Sequence, residues 1–359
     1  MDSTKPTVVI TGVAGHLGLH LLPHLADFSV IGVDINPPKT DQPLRFVRMD
    51  LGREESCREL YHLLRETGAV AVVHLAFVLD QVRMGVYELD RMWQINVAGT
   101  ARVMEAITEA NRDAGGVQKF LFPSSVAAYG PEGSPFSEES ALGAHTYPYG
   151  VHKKESDEVV QQRSPSLRGC SVYILRPHIF AAPHVDNYLV GIFRGTPNGT
   201  SRRAAKMREQ GKRLPCILPY GEKYLHNRVQ YVHIEDVARL FAYILRREPE
   251  AQRLTILNVA GRGEPLTIAR CVEMSQSKVV RVPGRWASKL ILQYGWKARL
   301  SAIPPGIEPY MNGECIMKTE RLQAFLGNDY ESVIRYTIED AFAESIANLP
   351  IAAKQSAAS

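Results

Sequence analysis

Short apolar runs and longer segments of helical spacing alternate along the first half of the chain. The apolar runs are rich in β-branched residues and predict strands at Thr7–Thr11, Val30–Asp34, Arg45–Met49, Ala69–Leu75, Lys119–Pro123 and Ser171–Arg176. The segments between them predict helices at Leu17–Phe28, Ser56–Thr67, Tyr87–Arg112 and Tyr149–Arg163. Near-continuous apolar strands that alternate with helices are typical of a parallel sheet covered on both faces. The pattern therefore predicts an α/β fold with a doubly wound parallel sheet.

The alternation breaks after about residue 177. Residues 183–224 are rich in Gly, Pro and basic residues, and strand and helix patterns return only at Val229–Leu245, Leu254–Ala260 and Leu266–Gln276. We therefore predict two domains. The first spans residues 1–177 with return segments around 229–260, and the second is a smaller α/β domain formed mainly by residues 178–359. Residues 352–359 have the composition of a frayed tail.

Charge and composition narrow the function classes. The net charge of +4 over 359 residues is small and is not concentrated in one tail, so nothing indicates a nucleic-acid partner. No apolar stretch reaches the roughly 20 residues of a membrane span, and the first residues lack the pattern of a secretory leader. The cysteines are scattered without metal-ligand spacing, which is typical of a reducing compartment, and they are Cys57, Cys170, Cys216, Cys271 and Cys315. We expect a cytoplasmic protein that acts on a small molecule.

Three glycines follow the first predicted strand at a spacing of three, in the run "TGVAGHLG". Gly12 permits a sharp turn, Gly15 lets a ligand approach the backbone, and Gly18 lets the following helix pack against the strand. The helix begins near His16, and its N-terminus offers free N–H groups to a pyrophosphate. Asp34 ends the second strand, where a dinucleotide site places its acceptor for a ribose hydroxyl. The pattern predicts dinucleotide binding, and the carboxylate favours NAD over NADP.

A second pattern carries acid–base chemistry. Tyr149 and Lys153 are four residues apart at the start of a predicted helix, so both lie on one face. A phenol with a reference pKa of about 10 is a poor base at neutral pH, and a nearby ammonium stabilises its phenolate. Ser124 and Ser125 end a strand, at the edge where such sheets bind ligands. Together with the glycine turn, these residues indicate a catalytic site beside a nucleotide.

The sequence resembles the extended short-chain dehydrogenases/reductases of the NAD-dependent epimerase/dehydratase type. The resembling pieces occur in the family's order and cover most of the chain: TGVAGHLG, the strand end at Asp34, MDL (Met49–Leu51), VVHLA (Val72–Ala76), NVAGT (Asn96–Thr100), PSSVAAYG (Pro123–Gly130), Tyr149-x-x-x-Lys153, LRP (Leu175–Pro177) and QYVHIEDVARL (Gln230–Leu240). The resemblance implies a Rossmann domain that binds NAD and a smaller C-terminal α/β domain that binds substrate. It also implies hydride transfer at a secondary alcohol or ketone.

The resemblance also implies site residues. NAD would be bound by Gly12, Gly15, His16, Leu17, Gly18, Asp34, Asp50, Leu51, Leu75, Ala76, Asn96, Lys153 and Pro177. In this set the glycines hold the pyrophosphate, Asp34 the adenosine ribose, Asp50 and Leu51 lie by the adenine, and Leu75 and Ala76 line the cleft. Tyr149 would be the acid/base, while Lys153 lowers its pKa and holds the nicotinamide ribose. Ser125 stands four residues before Tyr129 and matches the family's catalytic serine better than Ser124 does.

Some positions depart from the relatives. Sugar-nucleotide 4,6-dehydratases resembling this chain carry Asp-Glu where Val126 and Ala127 stand, so dehydration is disfavoured, and decarboxylation is disfavoured for want of a Glu in the same stretch. Ile179 replaces the Asn that sugar-nucleotide enzymes usually carry, which weakens that substrate class. A basic cluster is either an anion site or a solvated loop, and it comprises Arg202, Arg203, Lys206, Arg208, Lys212 and Arg213, with Arg228 close behind.

The segment Arg285–Leu300 has large apolar residues on helical spacing with basic residues between them. We interpret it as a helix packed in the core of the smaller domain. The alternatives are a cap over an apolar substrate pocket and a helix that lies on a membrane surface. Eleven histidines invite a metal hypothesis, but His16, His20, His24, His74 and His233 are all explained by helix-surface, packing or motif roles. We therefore predict no metal.

Three functions stay open at this point. The first is an NAD-dependent epimerase or dehydrogenase of a sugar nucleotide or similar polar alcohol. The second is an NAD(P)-dependent reductase or dehydrogenase of an apolar, steroid- or flavonoid-like ketone or alcohol. The third is a non-catalytic NAD-binding regulator, which would not need Ser125, Tyr149 and Lys153. By resemblance we expect a homodimer formed through the helices at Tyr87–Arg112 and Tyr149–Arg163.

Overall fold

The computed structural model describes most of the chain, namely residues 5–79, 88–112, 116–185, 187–249 and 253–347. The chain divides into two compact units. The first unit contains Met1–His178, Ile234–Ala260 and Met317–Arg335. The second unit contains Ile179–His233, Gly261–Ile316 and Tyr336–Ser359.

The segment Met317–Arg335 is assigned differently by sequence and structure. The sequence pattern places it in the second domain, whereas it belongs to the first unit. The Lys318 N–H donates to the Phe136 carbonyl at 2.8 Å, which joins the segment to the first unit by backbone pairing. Local pattern does not reveal such a return of the chain, because the pairing partner is distant in sequence.

The strands of the described residues are all short. They are β1 (Thr7–Thr11), β2 (Ser29–Asp34), β3 (Arg45–Arg48), β4 (Ala71–His74), β5 (Lys119–Pro123), β6 (Ser171–Pro177), β7 (Ile179–Ala181), β8 (Cys216–Pro219), β9 (Arg228–Val229), β10 (Tyr231–His233), β11 (Leu254–Val259), β12 (Leu266–Thr267) and β13 (Val279–Val282).

The α-helices of the described residues occur in both halves of the sequence. They are α1 (His16–Leu21), α2 (Ser56–Thr67), α3 (Leu89–Trp93), α4 (Gly99–Ala110), α5 (Pro148–Arg163), α6 (Tyr188–Arg194), α7 (Arg202–Glu209), α8 (Lys223–His226), α9 (Ile234–Arg246), α10 (Ile268–Ser275), α11 (Gly284–Lys297), α12 (Glu308–Asn312), α13 (Glu320–Leu326), α14 (Tyr330–Val333) and α15 (Ile338–Ile346). A π-helical turn, Gln94–Ala98, joins α3 to α4, and 3₁₀ turns lie at Leu22–His24, Val126–Tyr129, Ser164–Ser166, Pro305–Ile307 and Gly327–Asp329.

The first unit is built on a seven-stranded sheet with the order β11-β6-β5-β4-β1-β2-β3. All of its pairings are parallel, and β1 lies between β2 and β4, with Val9 opposite Ile31 on one side and Val72 on the other. The strand order reverses direction between β1 and β4. In open parallel sheets, ligands bind at the carboxyl ends of the strands beside such a reversal. The predicted doubly wound sheet is thus confirmed.

Both faces of this sheet are covered. One core cluster joins alternate strand residues such as Val9 and Phe120 to Leu60 of α2 and Ile107 of α4. Because strand side chains alternate between faces, the equally buried Ile10 points to the opposite face. Apolar residues on both faces explain why the strands lack a polar alternation in the sequence.

The second unit has its own core and short two-stranded pairings. β7 pairs with β10 and β8 with β13, both in parallel, while β9 and β12 are antiparallel. Phe193 of α6, Tyr231 of β10 and Phe342 of α15 meet in its core cluster. α6, α7 and β8 all lie in the stretch 183–224, in which the sequence shows no regular pattern.

Candidate functional site

The glycine turn after β1 requires glycine at two positions for two different steric reasons. Gly12 has φ +71°, and a Cβ there would lie 2.4 Å from the backbone nitrogen of Ala76. A Cβ at Gly18 would lie 2.4 Å from the carbonyl oxygen of Val13, because α1 packs directly on the turn. A Cβ at Gly15 would meet only the Gly12 oxygen, at 3.2 Å. Gly15 is exposed, so its lack of a side chain leaves the outside of the turn open.

α1 begins immediately at this opening. Gly15 is its N-cap and His16 and Leu17 are its first two residues, with His16 exposed and Leu17 buried. The first N–H groups of a helix have no intrahelical acceptor. They therefore leave donors and a positive dipole end at the carboxyl edge of the sheet.

Asp34 ties the end of β2 to the glycine turn. Its carboxylate accepts from the backbone N–H of Ala14 at 3.0 Å and of Asn36 at 3.2 Å. The side chain is partly exposed, so further lone pairs remain available to a hydroxyl donor.

Asp50 is paired with a residue that the sequence analysis did not find. Its carboxylate accepts from the Gly52 N–H at 3.0 Å and forms an ion pair with the Arg91 guanidinium. Arg91 also donates to the Gly52 carbonyl at 3.0 Å, and Leu51 between them is buried. Arg91 lies on α3, about forty residues away, and no local motif marks it.

The segment after β4 is held by a chain of hydrogen bonds through His74. Thr100 Oγ1 donates to the Asn96 carbonyl at 2.6 Å, so it accepts from His74 Nε2 at 3.0 Å. His74 Nδ1 must then accept from Thr11 Oγ1 at 2.7 Å, and that oxygen accepts from the Ala76 N–H at 3.4 Å. Burial, together with the smaller effect of the positive charge of Lys153, lowers the pKa of His74 to about 3. A neutral His74 therefore positions Leu75 and Ala76 and does not itself face a ligand.

Asn96 acts on the same segment from the π-helical turn. Its side-chain amide accepts from the Val78 N–H at 2.7 Å and donates to the Val78 carbonyl at 3.0 Å. It is fully buried, and its amide nitrogen also lies 3.3 Å from His152 Nδ1. The geometry gives Asn96 a positioning role toward Val78, and the cofactor contact implied by the resemblance stays a prediction. Pro177 is buried as the last residue of β6.

Ser125, Tyr149 and Lys153 come together at the carboxyl end of β5. Ser125 caps the 3₁₀ turn Val126–Tyr129, where its hydroxyl oxygen accepts from the Ala127 N–H at 3.1 Å. Tyr149 lies in the first turn of α5, and Lys153 lies one turn further on. Burial raises the pKa of Tyr149 to about 12, and a hydrogen bond with Ser125 opposes this increase. A neutral phenol is therefore the resting form of Tyr149.

Lys153 is surrounded by apolar rings. Its Nζ donates to the Pro123 carbonyl at 2.6 Å and lies 3.6 Å from the centroid of Phe77 and 6.0 Å from that of Tyr149. Burial lowers the pKa of Lys153 to about 7, against the opposing charge of Asp157. Burial is the largest influence on the pKa of both groups, so the lowering of the Tyr149 pKa by Lys153 stays a prediction.

Phe77 is the second residue that sequence reasoning missed. Its ring covers the Lys153 Nζ and meets the Tyr149 ring edge-to-face, at 5.8 Å between centroids. It is buried and directly follows Leu75 and Ala76 in the "VVHLAF" run. Its position in that run was the only available signal.

A buried network anchors α5. Arg176 of β6 donates to both carboxylate oxygens of Asp157, at 2.9 and 3.0 Å, and to the Tyr129 hydroxyl at 2.8 Å. Tyr129 donates in turn to the Asn258 side chain at 2.7 Å. Asp157 is one turn beyond Lys153, so the network fixes both α5 and the 3₁₀ turn that follows Ser125.

Three positions that depart from the relatives are explained in part by packing. Val126 and Ala127 are buried and apolar, so neither supplies an acid or a base. Ile179 is buried in the core cluster of the second unit, so packing accounts for its apolar side chain. It therefore gives no support to an apolar substrate.

The basic cluster does not converge on one point. Arg208 donates to the carbonyls of Pro197 and Gly199, and Arg213 to those of Phe193, Arg194 and Ser275. Arg228 pairs with Glu314 at 2.8 Å. These arginines hold the backbone of the second unit together, whereas Arg202, Arg203, Lys206 and Lys212 are exposed.

His20 and His24 both bond to Glu235, His24 at 3.0 Å. Within the described ranges, no group of three His, Cys, Asp or Glu side chains is arranged to hold a metal ion. The five cysteines, all within the described residues, form no disulfide. Among the helices that the structure describes, none has the length and hydropathy to span a membrane.

Comparison with known proteins agrees with this geometry. A family model described as the NAD dependent epimerase/dehydratase family matches residues 8–260. The chain belongs to the NAD-dependent epimerase/dehydratase family. It is 27% identical to the UDP-glucose 4-epimerase of Yersinia enterocolitica over 329 residues, which cover 83% of this chain and 94% of that one. The resemblance to extended short-chain dehydrogenases/reductases is thus confirmed.

Solved members of this fold superpose over nearly the whole chain. The UDP-glucose 4-epimerase of Thermus thermophilus in complex with NAD gives a TM-score of 0.63 at 18% identity, covering 96% of this chain and 98% of that chain. DesIV, a dTDP-glucose 4,6-dehydratase from Streptomyces venezuelae with NAD and TYD bound, gives 0.64 at 20% identity, covering 95% and 96%. At these identities the likeness shows the fold. Because an epimerase and a dehydratase score alike, it does not separate their reactions.

The residues at the sheet edge fit the NAD of this family. Among the described residues only the Gly12 oxygen would meet a Cβ at Gly15, so the outside of the turn can accept a phosphate group. The Ser124 hydroxyl, next to Ser125 in the chain, is buried and has no hydrogen-bond partner in the part of the chain described. The open glycine turn follows β1 and the unpaired Ser124 hydroxyl follows β5, both at the carboxyl edge of the sheet. These features are consistent with a ligand that contacts the turn and gives the hydroxyl a hydrogen-bond partner.

Proposed function

We propose that this chain is an NAD-dependent epimerase or closely related oxidoreductase that acts at a secondary alcohol or ketone of a sugar nucleotide. The observation that carries the proposal is the pairing of Tyr149 with Ser125, one helical turn from the buried Lys153. A module that only bound NAD would not need a hydrogen-bonded phenol and a desolvated amine at the same strand end.

Several residues would hold the cofactor. The turn at Gly15 and the start of α1 suit the pyrophosphate, Asp34 suits the adenosine ribose, and Lys153 suits the nicotinamide ribose. Bound NAD would supply the hydride acceptor and later the hydride donor. Since Lys153 lies under Phe77, we infer that this ring shifts when Lys153 engages a ribose.

Tyr149 and Ser125 would handle the proton. A phenol with a pKa of about 12 holds its proton at neutral pH and can donate it to a substrate carbonyl oxygen. In the opposite direction the phenolate accepts the proton of the substrate hydroxyl, and positive charge nearby favours that form. Lys153, with a pKa of about 7, is partly protonated at neutral pH and supplies such charge. Ser125 is placed to hydrogen-bond the same substrate oxygen.

Two observations support the proposed substrate class and reaction, namely the relatives and the lack of carboxylates at positions 126 and 127. A curated relative that aligns with 83% of this chain is a UDP-glucose 4-epimerase. Val126 and Ala127 are apolar and buried, so the elimination of water has no acid or base at those positions. Both observations favour return of the hydride to the same sugar over dehydration.

The proposal is tested with the purified full chain, NAD and UDP-hexoses. We expect conversion of UDP-glucose, or of another nucleotide sugar in a small panel, into its C4 epimer, measured by chromatography. A UDP- or dTDP-sugar should also raise the melting temperature, because a ligand stabilises the state that it binds. If NAD raises the melting temperature and no nucleotide sugar does, the sugar-nucleotide part of the proposal is wrong and an apolar ketone becomes the better candidate.

A further inference from the structure

Helix α11 of the second unit presents large apolar side chains to solvent. Trp286, Leu290 and Tyr294 are 64%, 55% and 64% exposed, and Ile291 is 41% exposed. Residues four apart lie on one helical face, so the first three form a continuous ridge about 12 Å long. We call Trp286, Leu290, Ile291 and Tyr294 the α11 ridge. The core-packed helix expected from the sequence is therefore wrong for this face.

The other side of α11 is firmly attached. Arg285 donates to both oxygens of Glu308, at 2.9 and 3.0 Å, and Asn312 donates to the same carboxylate at 2.9 Å. Ala287 and Ser288 are buried against the unit. The ion pair and the buried residues fix the rotation of α11, so the ridge cannot turn inward without breaking them.

Positive charge accompanies the ridge. Lys289 and Lys297 are exposed and lie three residues after Trp286 and Tyr294 respectively, which places them along the same side of the helix. Gly284–Lys297 contains no Asp or Glu. The neighbouring acids are Glu308, which is paired with Arg285, and Glu222, which lies 3.6 Å from Arg281.

Tyr220 extends the apolar surface. It is 64% exposed, and its N–H donates to the Val282 carbonyl at 2.8 Å, just before α11 begins. The backbone of this aromatic residue, which directly follows β8, thus lies near the N-terminal end of α11.

We propose that the α11 ridge docks this protein onto the surface of a membrane that contains anionic lipids. Aromatic and aliphatic side chains on one face, with lysines along its side, are the features of a helix that lies in the lipid interface. Lysine can keep its stem in the apolar layer and its ammonium among the headgroups. If a second copy of this chain covered the ridge, the lysines of both helices would lie close together, and α11 has no acidic residue to compensate their charge. This repulsion favours an anionic membrane over a second copy.

Sedimentation of the full chain with vesicles tests the proposal. We expect binding to phosphatidylcholine vesicles that contain one third phosphatidylserine, and much weaker binding to pure phosphatidylcholine. Each exchange Lys289→Gln and Lys297→Gln should weaken that binding roughly fivefold, because a lysine near an anionic surface contributes about that factor. The pair Trp286→Ser/Tyr294→Ser should weaken it at least tenfold.

Two matched variants control for exposure and charge in the first unit. Leu89→Ser replaces a leucine that is 54% exposed, and Arg58→Gln/Arg65→Gln removes two exposed charges from α2. Both should bind the mixed vesicles like the parent chain, and all variants should keep the melting-temperature increase given by NAD.

Three results would overturn the proposal. They are failure of the parent chain to bind mixed vesicles, equal binding of the ridge variant, and equal binding to neutral vesicles. If size-exclusion chromatography shows a dimer that Trp286→Ser/Tyr294→Ser dissociates, the ridge is an interface between copies instead.

Discussion

Lys153 lies where its charge is strongly disfavoured. The rings of Phe77 and Phe122 lie 3.6 and 5.0 Å from its Nζ, and one carbonyl, that of Pro123, accepts from it at 2.6 Å. Burial lowers the pKa to about 7. A lysine near its pKa at neutral pH responds to small changes of charge around it, which is useful beside a phenol that gains and loses a proton.

The burial of the Lys153 amine should lower the free energy of unfolding at neutral pH. Between about pH 7 and 10.5 the unfolded chain binds more protons at this residue than the folded chain, so the stability of the parent rises with pH over that window. We predict that Lys153→Met increases the free energy of unfolding by roughly 1–3 kcal/mol at neutral pH and by much less near the upper end of the window. Urea denaturation at both pH values measures the difference.

Lys154→Met is the control, since this neighbour is only partly buried. It should give no gain that depends on pH. A Lys153→Met protein that is less stable than the parent at both pH values would show that the Pro123 bond and the ring contacts outweigh the burial of the charge.

The role of a residue could be predicted from the sequence where it depends only on the local backbone around that residue. Gly12 and Gly18 have the steric environments that the glycine motif predicted, whereas the ribose contact of Asp34 stays a prediction. Phe77 and Arg91 could not be predicted, because their roles arise from contacts with Lys153 and Asp50 that lie 76 and 41 positions away.

At the scale of elements, strands were predicted more accurately than helices. The strands β1 and β5 have the predicted bounds, because buried parallel strands are short, apolar and bounded by turns. The helix predicted at Leu17–Phe28 changes into a 3₁₀ turn after Leu21, at Pro23, since proline cannot donate to the helical ladder.

The helix predicted at Tyr87–Arg112 is interrupted for a tertiary reason. Tyr87 lies outside the described residues, and a π-helical turn separates α3 from α4. In that turn the Asn96 carbonyl accepts from Thr100 Oγ1 at 2.6 Å and from Ser156 Oγ at 3.1 Å. Ser156 belongs to α5, so the interruption depends on packing that helical periodicity cannot reveal.

The contact between α1 and the glycine turn gives an element-scale prediction. In Gly18→Ala the new methyl would lie 2.4 Å from the Val13 carbonyl oxygen, which is backbone and cannot move aside. We expect a loss of about 1–3 kcal/mol in the free energy of unfolding, together with weaker NAD binding, because α1 must shift. Denaturant titration and calorimetry measure the two effects.

Gly191→Ala is the matched control. Gly191 lies inside α6, and a Cβ there would meet nothing within 4 Å among the described residues. Alanine is the better helix former, so this variant should gain up to about 1 kcal/mol. If both substitutions change stability alike, the close approach of α1 to the turn is not what Gly18 provides.

For the molecule as a whole, the position of α5 depends on distant parts of the chain. β11 pairs with β6 at the edge of the sheet, and its Asn258 accepts from the Tyr129 hydroxyl. Tyr129 and Asp157 in turn hold Arg176, so residues near position 258 support the position of α5. The sequence predicted that this segment returns to the first domain, but not the network that it completes.

The proposed chemistry brings these scales together. The sheet edge provides an opening for a dinucleotide, the Arg176 network fixes α5, and Tyr149 and Ser125 are positioned to move one proton. The homodimer expected through α4 and α5 stays a prediction, as do the individual contacts to NAD.

The most direct test of this account is the appearance of reduced nicotinamide in a single turnover. NAD-loaded protein is mixed with a nucleotide sugar that the chromatographic assay shows to be converted, and absorbance is followed for the parent, Tyr149→Phe and Tyr243→Phe. Tyr243 is the control because its hydroxyl bonds to Asp329, away from the catalytic residues. We expect Tyr149→Phe to bind NAD normally and to reduce it about 10²–10⁴-fold more slowly, with Tyr243→Phe unaffected. Reduction by Tyr149→Phe at the rate of the parent would contradict the account.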